Sequence, residues 1–250
     1  MTTQEVKKMI QKKFASSTAQ TSDIIKYVLS KDESVPPATV SWVLYDIVKN
    51  KEAVRLGRGV YFFSLKPTWH PVLSEKAAQV ADLIMKQMPY LKATIADTSV
   101  LNELMEQQPF SYAIIIEVPK RLIDSVVQKL VEGGIMAFSR ANSKLGTLYA
   151  RSDASVYVTK AVKTSAVIPY NGNINTSTLE KLMVDILAVP ELFGLSQSGE
   201  AENIFINASE NYALDYSMML KYATNRGKRK EAEDLLTNSR SYQLYREAII

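Results

Sequence analysis

The chain has 250 residues, of which 46% are hydrophobic and 22% are charged, and its net charge is +4. This composition is that of an ordinary globular protein, and the length predicts two domains rather than one. The absence of cysteine excludes disulfides, thiolate catalysis and cysteine zinc sites, and the single histidine, His70, argues against histidine metal clusters and a histidine-based triad.

Neither a membrane span nor a secretion signal is predicted. No apolar run reaches the roughly 20 residues of a membrane-spanning helix. The N-terminal stretch, MTTQEVKKMIQKKFA, is charged throughout and has no apolar segment of the kind found in signal peptides. We therefore expect a cytoplasmic protein that does not bind membranes.

Positive charge is concentrated in the first quarter of the chain. Residues 1–66 contain eleven lysines and arginines against six acidic residues, a net charge of +5, so the remaining 184 residues sum to about −1. Such an asymmetry favours a polyanionic partner for the N-terminal part, although a solvated lysine-rich surface would give the same count.

Residues 1–66 are predicted to form three helices followed by a hairpin. The first two helices, around 3–14 and 22–30, place apolar side chains one turn apart, and a polar break, SSTAQTS, separates them. The third, ATVSWVLYDIVKN, follows two prolines that can begin a helix and has a wide apolar stripe.

The hairpin is predicted in the segment AVRLGRGVYFF, with strands at about 53–56 and 59–64. Gly57-Arg58-Gly59 forms its tip, because glycine supplies the positive φ of a tight turn. By the two-residue period of a strand, the apolar side chains share a face that we expect to be the core face, namely Val54, Leu56, Val60 and Phe62. Arg55 then points away from that core.

Three helices followed by a basic hairpin are typical of a winged helix-turn-helix, in which the third helix enters a DNA groove and the hairpin is the wing. The outward side chains of the third helix are then DNA-contact candidates, as are the wing residues: Thr39, Ser41, Trp42, Tyr45, Lys49, Arg55, Arg58 and Tyr61. An alternative for Trp42 is packing against the wing or the second domain. Asp46 is expected to repel phosphate and to end the footprint near Tyr45.

A Pro-punctuated linker at 67–74 is predicted to lead into a second domain at 75–250. A helix at 75–88 is followed by apolar runs that alternate with helical ones up to residue 162, which predicts mixed α/β layers around one sheet. Residues 171–176 are turn-like, NSKLGT at 142–147 is a predicted turn, and everything from Thr176 onward is predicted helical. The expected fold class is α+β: a winged helix, then a mixed α/β domain ending in a bundle-like helical segment.

Four stretches carry a resemblance to a known family: LGRGVYFF, DTSVLNELMEQQP, TSTLEKLMVDIL and LKYATNRGKRKEAEDLL. Over nearly the whole chain the sequence resembles the AbiEi-type antitoxins of AbiE (type IV) toxin–antitoxin systems, most closely a Bacteroidetes-type branch. The resemblance implies a winged helix that represses the operon's own promoter and a C-terminal domain that opposes a nucleotidyltransferase toxin in phage defence, without a stable complex. The chain itself is not expected to be an enzyme, and a monomer or weak dimer is expected.

Other chemistry is weighed against this interpretation. Asp97, Glu117 and Lys120 are the best candidates for a metal-dependent nuclease, although Glu-x-x-Lys interrupted by Pro119 departs from the usual Glu-x-Lys spacing. A protein-interaction scaffold is a third alternative. No phosphate-binding glycine motif occurs, so no cofactor or metal is predicted.

A second basic cluster lies between the last two predicted helices, in NRGKRK at 225–230. It is either a pair of ordinary helix ends, with Gly227 as the cap, or a second nucleic-acid surface. The residues of that possible surface are Arg226, Lys228, Arg229 and Lys230.

Overall fold

A computed structural model describes residues 1–15, 17–50, 52–63, 66–109, 111–140, 155–195 and 199–249. The turn predicted at 142–147, Lys51 of the basic N-terminal count and the end of the second wing strand at residue 64 lie outside these ranges. Within the described part of the chain, no helix has both the length and the apolar character needed to cross a membrane.

The fold is α+β with a helical C-terminal region, as predicted. The first elements in chain order are α1 (Thr3–Lys13), β1 (Ser17–Gln20), α2 (Thr21–Lys31), α3 (Pro37–Lys49), β2 (Val54–Gly57) and β3 (Val60–Phe63). There follow α4 (Glu75–Gln87), β4 (Ala93–Asp97), a 3₁₀ helix (Thr98–Leu104), β5 (Ala113–Val118), a short 3₁₀ turn (Lys120–Leu122), α5 (Ile123–Glu132), β6 (Ala137–Ser139), β7 (Ser155–Lys160), β8 (Val167–Asn171) and β9 (Ile174–Ser177). The last are α6 (Leu179–Ala188), α7 (Pro190–Phe193), α8 (Glu200–Asn211), α9 (Tyr216–Arg226), α10 (Arg229–Leu236) and α11 (Arg240–Ile249).

The chain divides into two compact units that are not continuous in sequence. The first unit comprises Met1–Trp69, Ala208–Ser217 and Leu236–Ile250, and the second comprises His70–Asn207 and Met218–Leu235. The predicted N-terminal domain therefore extends slightly further than residue 66 and also includes two segments from the C-terminal end of the chain.

The core of the first unit is built by the three N-terminal helices. A capping box closes the start of α1, in which Thr2 Oγ1 accepts from the Glu5 backbone N–H and the Glu5 carboxylate accepts from the Thr2 N–H. Pro37 begins α3, where its missing N–H costs nothing. The apolar stripes of the helices meet in one cluster: Val6, Ile10, Ile24, Val28, Val40, Val43, Leu44 and Ile47.

A three-stranded antiparallel sheet of order β1-β3-β2 completes this core. β1 is not predicted by the sequence, because STAQ is polar and is typical of a break between two helices. The prediction that Val60 and Phe62 of the hairpin face the core was wrong for the three-helix core. Phe63 lies in that core instead, and Tyr61 packs against it. Ala19 of β1 joins the same core. Val54 and Leu56 are buried as expected, but their strand β2 instead contacts α11.

Two contacts tie the C-terminal segments into the first unit. Lys66 Nζ donates to the Ser209 carbonyl oxygen at 2.5 Å and to Ser241 Oγ at 2.9 Å. Three tyrosine rings also pack together, with centroid separations of 5.4–5.9 Å: Tyr216, Tyr242 and Tyr245. Burial lowers the pKa of Lys66 from its usual value.

The second unit is organised around a six-stranded mixed sheet of order β6-β7-β5-β4-β9-β8. The β4–β5 and β8–β9 pairs are antiparallel, and the β5–β7, β6–β7 and β4–β9 pairs are parallel. One face, which includes Ile114, Ile116 and Val158, forms a core with α4 and α5. The other face carries Ile115 and Glu117, because successive side chains in a strand alternate.

Two local predictions in this unit were wrong. The run SVLNELMEQ, predicted helical, forms the 3₁₀ helix Thr98–Leu104. Residues 171–176, predicted as a turn, include the end of β8 and most of β9, and only the tip around Gly172 (φ +54°) turns. Glycine is required there by the positive φ.

Candidate nucleic-acid interface and a buried charge cluster

The predicted recognition helix, α3, presents polar and aromatic side chains to solvent. Because its apolar stripe is buried, the positions between the buried ones face outward. Ser41, Lys49 and two large aromatic side chains are exposed, with Trp42 58% and Tyr45 64% exposed. Thr39 is half-buried, and Ser41 Oγ donates to the Pro37 carbonyl oxygen at 3.2 Å. The exposure of Trp42 argues against the alternative in which it packs against the wing.

The acidic residue on this helix, Asp46, shares a lysine with a second carboxylate. Lys7 Nζ lies 3.0 Å from Asp46 and 2.9 Å from Glu52. These bonds, that to Glu52 above all, raise the pKa of Lys7. Because this one lysine is shared by two carboxylates, the group keeps one net negative charge, and the expectation that Asp46 repels phosphate stays a prediction.

The predicted wing is a short hairpin whose tip is fixed. Gly59 adopts φ +77°, and its carbonyl oxygen accepts from Thr21 N at 2.7 Å and from Thr21 Oγ1 at 3.0 Å. Arg55 and Arg58 are exposed, whereas Tyr61 is half-buried with its ring against the three-helix core. Arg58 thus projects from a turn anchored at the start of α2, and Tyr61 has less free surface than expected.

The second predicted basic cluster does not form one open basic surface. Arg226 is largely buried and lies 3.3 Å from Asp185. Lys228 pairs with Glu231 and Arg229 with Glu233, each one turn further along α10, while Lys230 is exposed. Pairing of this kind is typical of a solvated helix and lowers the local positive potential.

The proposed nuclease residues are not arranged as a metal site. Asp97 lies opposite Ile114 and Thr94 lies opposite Glu117, so the two carboxylates project from opposite faces of the sheet. The Asp97 carboxylate accepts from Ser74 N, Ser99 N and Ser99 Oγ at 2.6–3.0 Å, which is the role of a structural cap. Among the residues that the structure describes, no group of three potential metal ligands occurs.

Glu117 instead belongs to a buried charge cluster on the second face of the sheet, made of Glu117, Lys181, Asp185, Tyr222 and Arg226. Lys181 is 1% exposed, and its Nζ lies 2.8 Å from Glu117 Oε1 and 2.5 Å from Asp185 Oδ2. Asp185 Oδ1 accepts from the Tyr222 hydroxyl at 2.7 Å and lies 3.3 Å from Arg226. The cluster thus contains two cations and two carboxylates.

α6 positions the lysine and the aspartate of this cluster. Thr178 caps the helix by accepting from the Lys181 backbone N–H at 3.3 Å, and residues 179–186 are all buried. The four-residue spacing of Lys181 and Asp185 puts their side chains on one side of the helix. α9 supplies Tyr222 and Arg226 by the same spacing, and Lys181 Nζ lies 5.2 Å from the Tyr222 ring centre.

Burial and neighbouring charge oppose each other in this cluster. Burial alone would lower the pKa of Lys181, but the attraction of Asp185 and Glu117 exceeds it and raises that pKa. Burial raises the pKa of Glu117, with Lys181 opposing the rise, and burial also raises the pKa of Tyr222. Lys181 is therefore held as a cation, and Tyr222 as a neutral donor.

A small pocket with a cavity volume of about 10 Å³, room for about one water molecule, lies beside the cluster. Arg140 and Arg226 line it together with Glu117, Asp185 and several apolar side chains. Of the described residues, Arg226 has a buried Nε without a hydrogen-bond partner. A buried donor in that state costs about 1–3 kcal/mol.

Sequence reasoning missed this cluster. The sequence pattern around Glu117 points only to Lys120, which is exposed, and the motif TLEKLMVDIL carries only the family resemblance. The available signal was the charged pair Lys181 and Asp185, which are four residues apart and separated by three apolar residues.

Comparison with known proteins gives one family match. The profile of a family of unknown function (DUF6577) matches residues 39–242, from the start of α3 into α11. No curated protein matches the chain. The resemblance to AbiEi-type antitoxins stays a prediction.

Proposed function

The chain belongs to the family of unknown function DUF6577, and because that description assigns no activity, we propose from its own residues that it is a DNA-binding transcriptional regulator. In this proposal the first unit is a winged helix-turn-helix, α3 is its recognition helix and the β2–β3 hairpin is its wing. The target is double-stranded DNA, with the protein's own promoter as the first candidate.

The exposed face of α3 is the observation that carries this proposal. Two aromatic side chains, Trp42 and Tyr45, are more than half exposed on a helix whose other face is fully packed. Large exposed apolar side chains that adjoin polar ones mark interaction surfaces. Ser41 and Lys49 on the same face supply a hydroxyl and a cation of the kinds that contact phosphates and base edges.

The element order and the charges support the same function. The order of elements is compatible with a winged helix: a helix, a strand, two helices and a hairpin follow one another in the chain. In the sheet, β1 pairs with β3 of the hairpin. Arg55 and Arg58 on the hairpin are exposed and provide phosphate or minor-groove anchors. The pairing of Asp46 with Lys7 lowers the repulsion that phosphate would meet at the end of α3.

The first experiment is fluorescence anisotropy with the protein's upstream intergenic DNA and with scrambled DNA, at about 50 and 200 mM salt. We expect tighter binding to the upstream DNA and a steep loss of affinity with salt. Changing both Arg55→Ala and Arg58→Ala should reduce the slope of log affinity against log salt by up to about 1.8, since each phosphate contact contributes about 0.9.

A matched control removes two arginine or lysine charges elsewhere, with Lys129→Ala and Arg229→Ala, each of which is exposed and paired with a glutamate. The control variant should keep the wild-type slope. An unchanged slope in the Arg55/Arg58 variant would refute the wing assignment, and equal weak binding to both DNAs would refute the regulator.

The antitoxin role is a further part of the proposal and is supported by the sequence resemblance alone. In it, the protein opposes a nucleotidyltransferase toxin without forming a stable complex. The test is co-expression with the neighbouring gene, with growth as the readout. If the neighbouring gene is not toxic by itself, or is toxic in both backgrounds, the antitoxin role is wrong while DNA binding can still stand.

A further inference from the structure

Two exposed tyrosines lie at one end of the sheet in the second unit. Tyr90, in the loop between α4 and β4, is 92% exposed, and Tyr170, in the edge strand β8, is 42% exposed. No other large hydrophobic side chain of the described residues is as exposed as Tyr90. Neither tyrosine belongs to the core of this unit or to the buried charge cluster, so the fold does not account for their rings.

The turn between β8 and β9 holds these two segments together. Asn173 Nδ2, in that turn, donates to the Pro89 carbonyl oxygen at 2.8 Å. A Cβ built on Gly172 would lie 3.5 Å from Met85 Sδ, so the turn also rests against the end of α4. One tyrosine directly follows Pro89, and the other lies in the strand that leads into the turn. Large rings left open so close together mark an interaction surface.

This end of the sheet is basic and free of acidic residues. Segments 83–96 and 161–179 contain three lysines and no aspartate or glutamate. Lys86 and Lys92 are exposed, and neither has an acidic partner among the residues that the structure describes; Asp82, one turn before Lys86, is not paired with it. Because the chain after residue 66 sums to about −1, this positive charge is a local feature.

A single-stranded nucleic acid matches such a surface. Its bases have free faces that stack on aromatic side chains, and its phosphates are neutralised by lysine. In a duplex the base faces already stack on one another, so an open tyrosine ring finds little to contact there. The combination of open rings and unpaired lysines therefore favours a single strand over a duplex.

A peptide that adds a strand to β8 is the competing occupant, because β8 ends the sheet. Pro169, in the middle of β8, lacks an N–H for such a ladder, and the pairing of β8 with β9 shifts register between Pro169 and Asn171. Proline and bulges are among the features that protect an edge strand against strand addition. The side chains at this end of the sheet, rather than its backbone edge, are therefore the favoured contact surface.

We propose that the surface formed by Lys86, Tyr90, Lys92 and Tyr170 binds single-stranded nucleic acid, with bases stacked on the tyrosines and phosphates against the lysines. All four residues belong to the second unit, so the inference does not depend on duplex binding by the first. It gives the chain a second nucleic-acid site, specific for the other strand form.

The test is fluorescence anisotropy of the full chain with a labelled oligothymidylate of about 12 nucleotides, a length that single-stranded sites cover. An abasic oligomer of the same length and charge is the ligand control, and it should bind more weakly because it cannot stack. Tyr90→Ala and Tyr170→Ala should each weaken oligothymidylate binding at least about fivefold, the lower end of the loss for one stacked base. Tyr90→Phe keeps the ring and should bind as the wild type does.

The lysines are tested by the salt dependence of the same binding. Changing both Lys86→Ala and Lys92→Ala should reduce the slope of log affinity against log salt by up to about 1.4, since each phosphate contact of a single strand contributes about 0.7. Met136→Ala, which removes a 64% exposed side chain beside β6 at the opposite edge of the sheet, is the protein control. The variant with Arg55→Ala and Arg58→Ala should also bind the oligothymidylate as the wild type does.

Three results would overturn the proposal. The first is equal binding of the oligothymidylate and the abasic oligomer, and the second is a loss of binding in the Arg55/Arg58 variant in place of the Tyr90 and Tyr170 variants. The third is the absence of saturable binding to the oligothymidylate, which would leave a peptide on β8 as the occupant. A failure of duplex binding by the first unit changes none of these readouts, so the two proposals fail separately.

Discussion

Replacing Lys181 with methionine tests how the buried charge cluster is held together. The substitution keeps the length of the side chain and removes the ammonium that lies 2.8 Å from Glu117 and 2.5 Å from Asp185. Asp185 retains Tyr222 and Arg226, but Glu117 loses the lysine that balances its buried charge. Removing one partner of a buried ion pair costs about 3–5 kcal/mol, and we expect a loss of unfolding free energy in this range.

The size of this loss should depend on pH. Burial raises the pKa of Glu117 above 4.5, and Lys181→Met removes the cation that opposes the rise. A carboxyl whose pKa is higher in the folded than in the unfolded state binds more protons when folded, so its contribution to stability falls as pH rises through the folded pKa. The cost of Lys181→Met should therefore be largest near pH 7 and smaller near pH 5.

The assay is urea unfolding followed by far-ultraviolet circular dichroism. Tryptophan emission is recorded separately, because Trp42 and Trp69 both belong to the first unit and report on it alone. Lys129→Met is the matched control, since this lysine is half-exposed on α5 and pairs only across one turn with Glu132. The control should lose no more than about 0.5 kcal/mol.

A loss below about 1 kcal/mol for Lys181→Met, or a loss that grows as the pH falls, would refute this account of the cluster. The first result would mean that the carboxylates are stabilised without the lysine. The second would mean that Glu117 is not the group left unbalanced.

Two further predictions concern single residues that hold turns and caps. Asp97→Ala should lower the free energy of unfolding by about 1 kcal/mol or more, because it leaves the part-buried N–H groups of Ser74 and Ser99 without their acceptor. Urea denaturation measures this loss, and an unchanged midpoint would contradict the role of Asp97 as a cap. Gly59→Ala should cost about 1–2 kcal/mol, because φ is +77° and an added Cβ would lie 3.3 Å from Thr21 Oγ1. Gly199→Ala, at a glycine with open space and no positive φ, is its control, and equal effects would exclude strain at the tip.

Local periodicity was enough to predict the helices and the central strands of the sheet. The stripes of α1 and α3 and the apolar run of β5 each carry their own pattern in consecutive residues. β1 has no such pattern, since STAQ becomes a strand only by pairing with β3, more than forty residues later. The β8–β9 hairpin was missed for a different reason: residues 171–176 are predicted as a turn, although Asn171-Gly172 between short strands is a hairpin signal.

Only those residues of the candidate site that need nothing more than exposure to solvent could be predicted from the sequence. Ser41, Trp42 and Tyr45 lie outward because the stripe of α3 must be buried, and this follows from the sequence. The other members of the Glu117 cluster do not, because Lys181 and Tyr222 come from helices 64 and 105 residues away in the chain. A pairing at that separation depends on how α6 and α9 pack on the sheet, which no local pattern specifies.

The division of the first unit between both ends of the chain has a consequence for its biosynthesis. β2 contacts α11, and the Lys66 ammonium bonds to Ser209 and Ser241, so the unit includes segments that are translated more than 140 residues after its N-terminal helices. Domains usually fold during synthesis in the order in which they leave the ribosome. Here Val54 and Leu56, which are buried in the complete unit, stay without the cover of α11 until residues 240–249 have left the ribosome. We therefore expect β2 of the nascent chain to be open to chaperones and to aggregation, and a premature stop near residue 236 would leave it without α11.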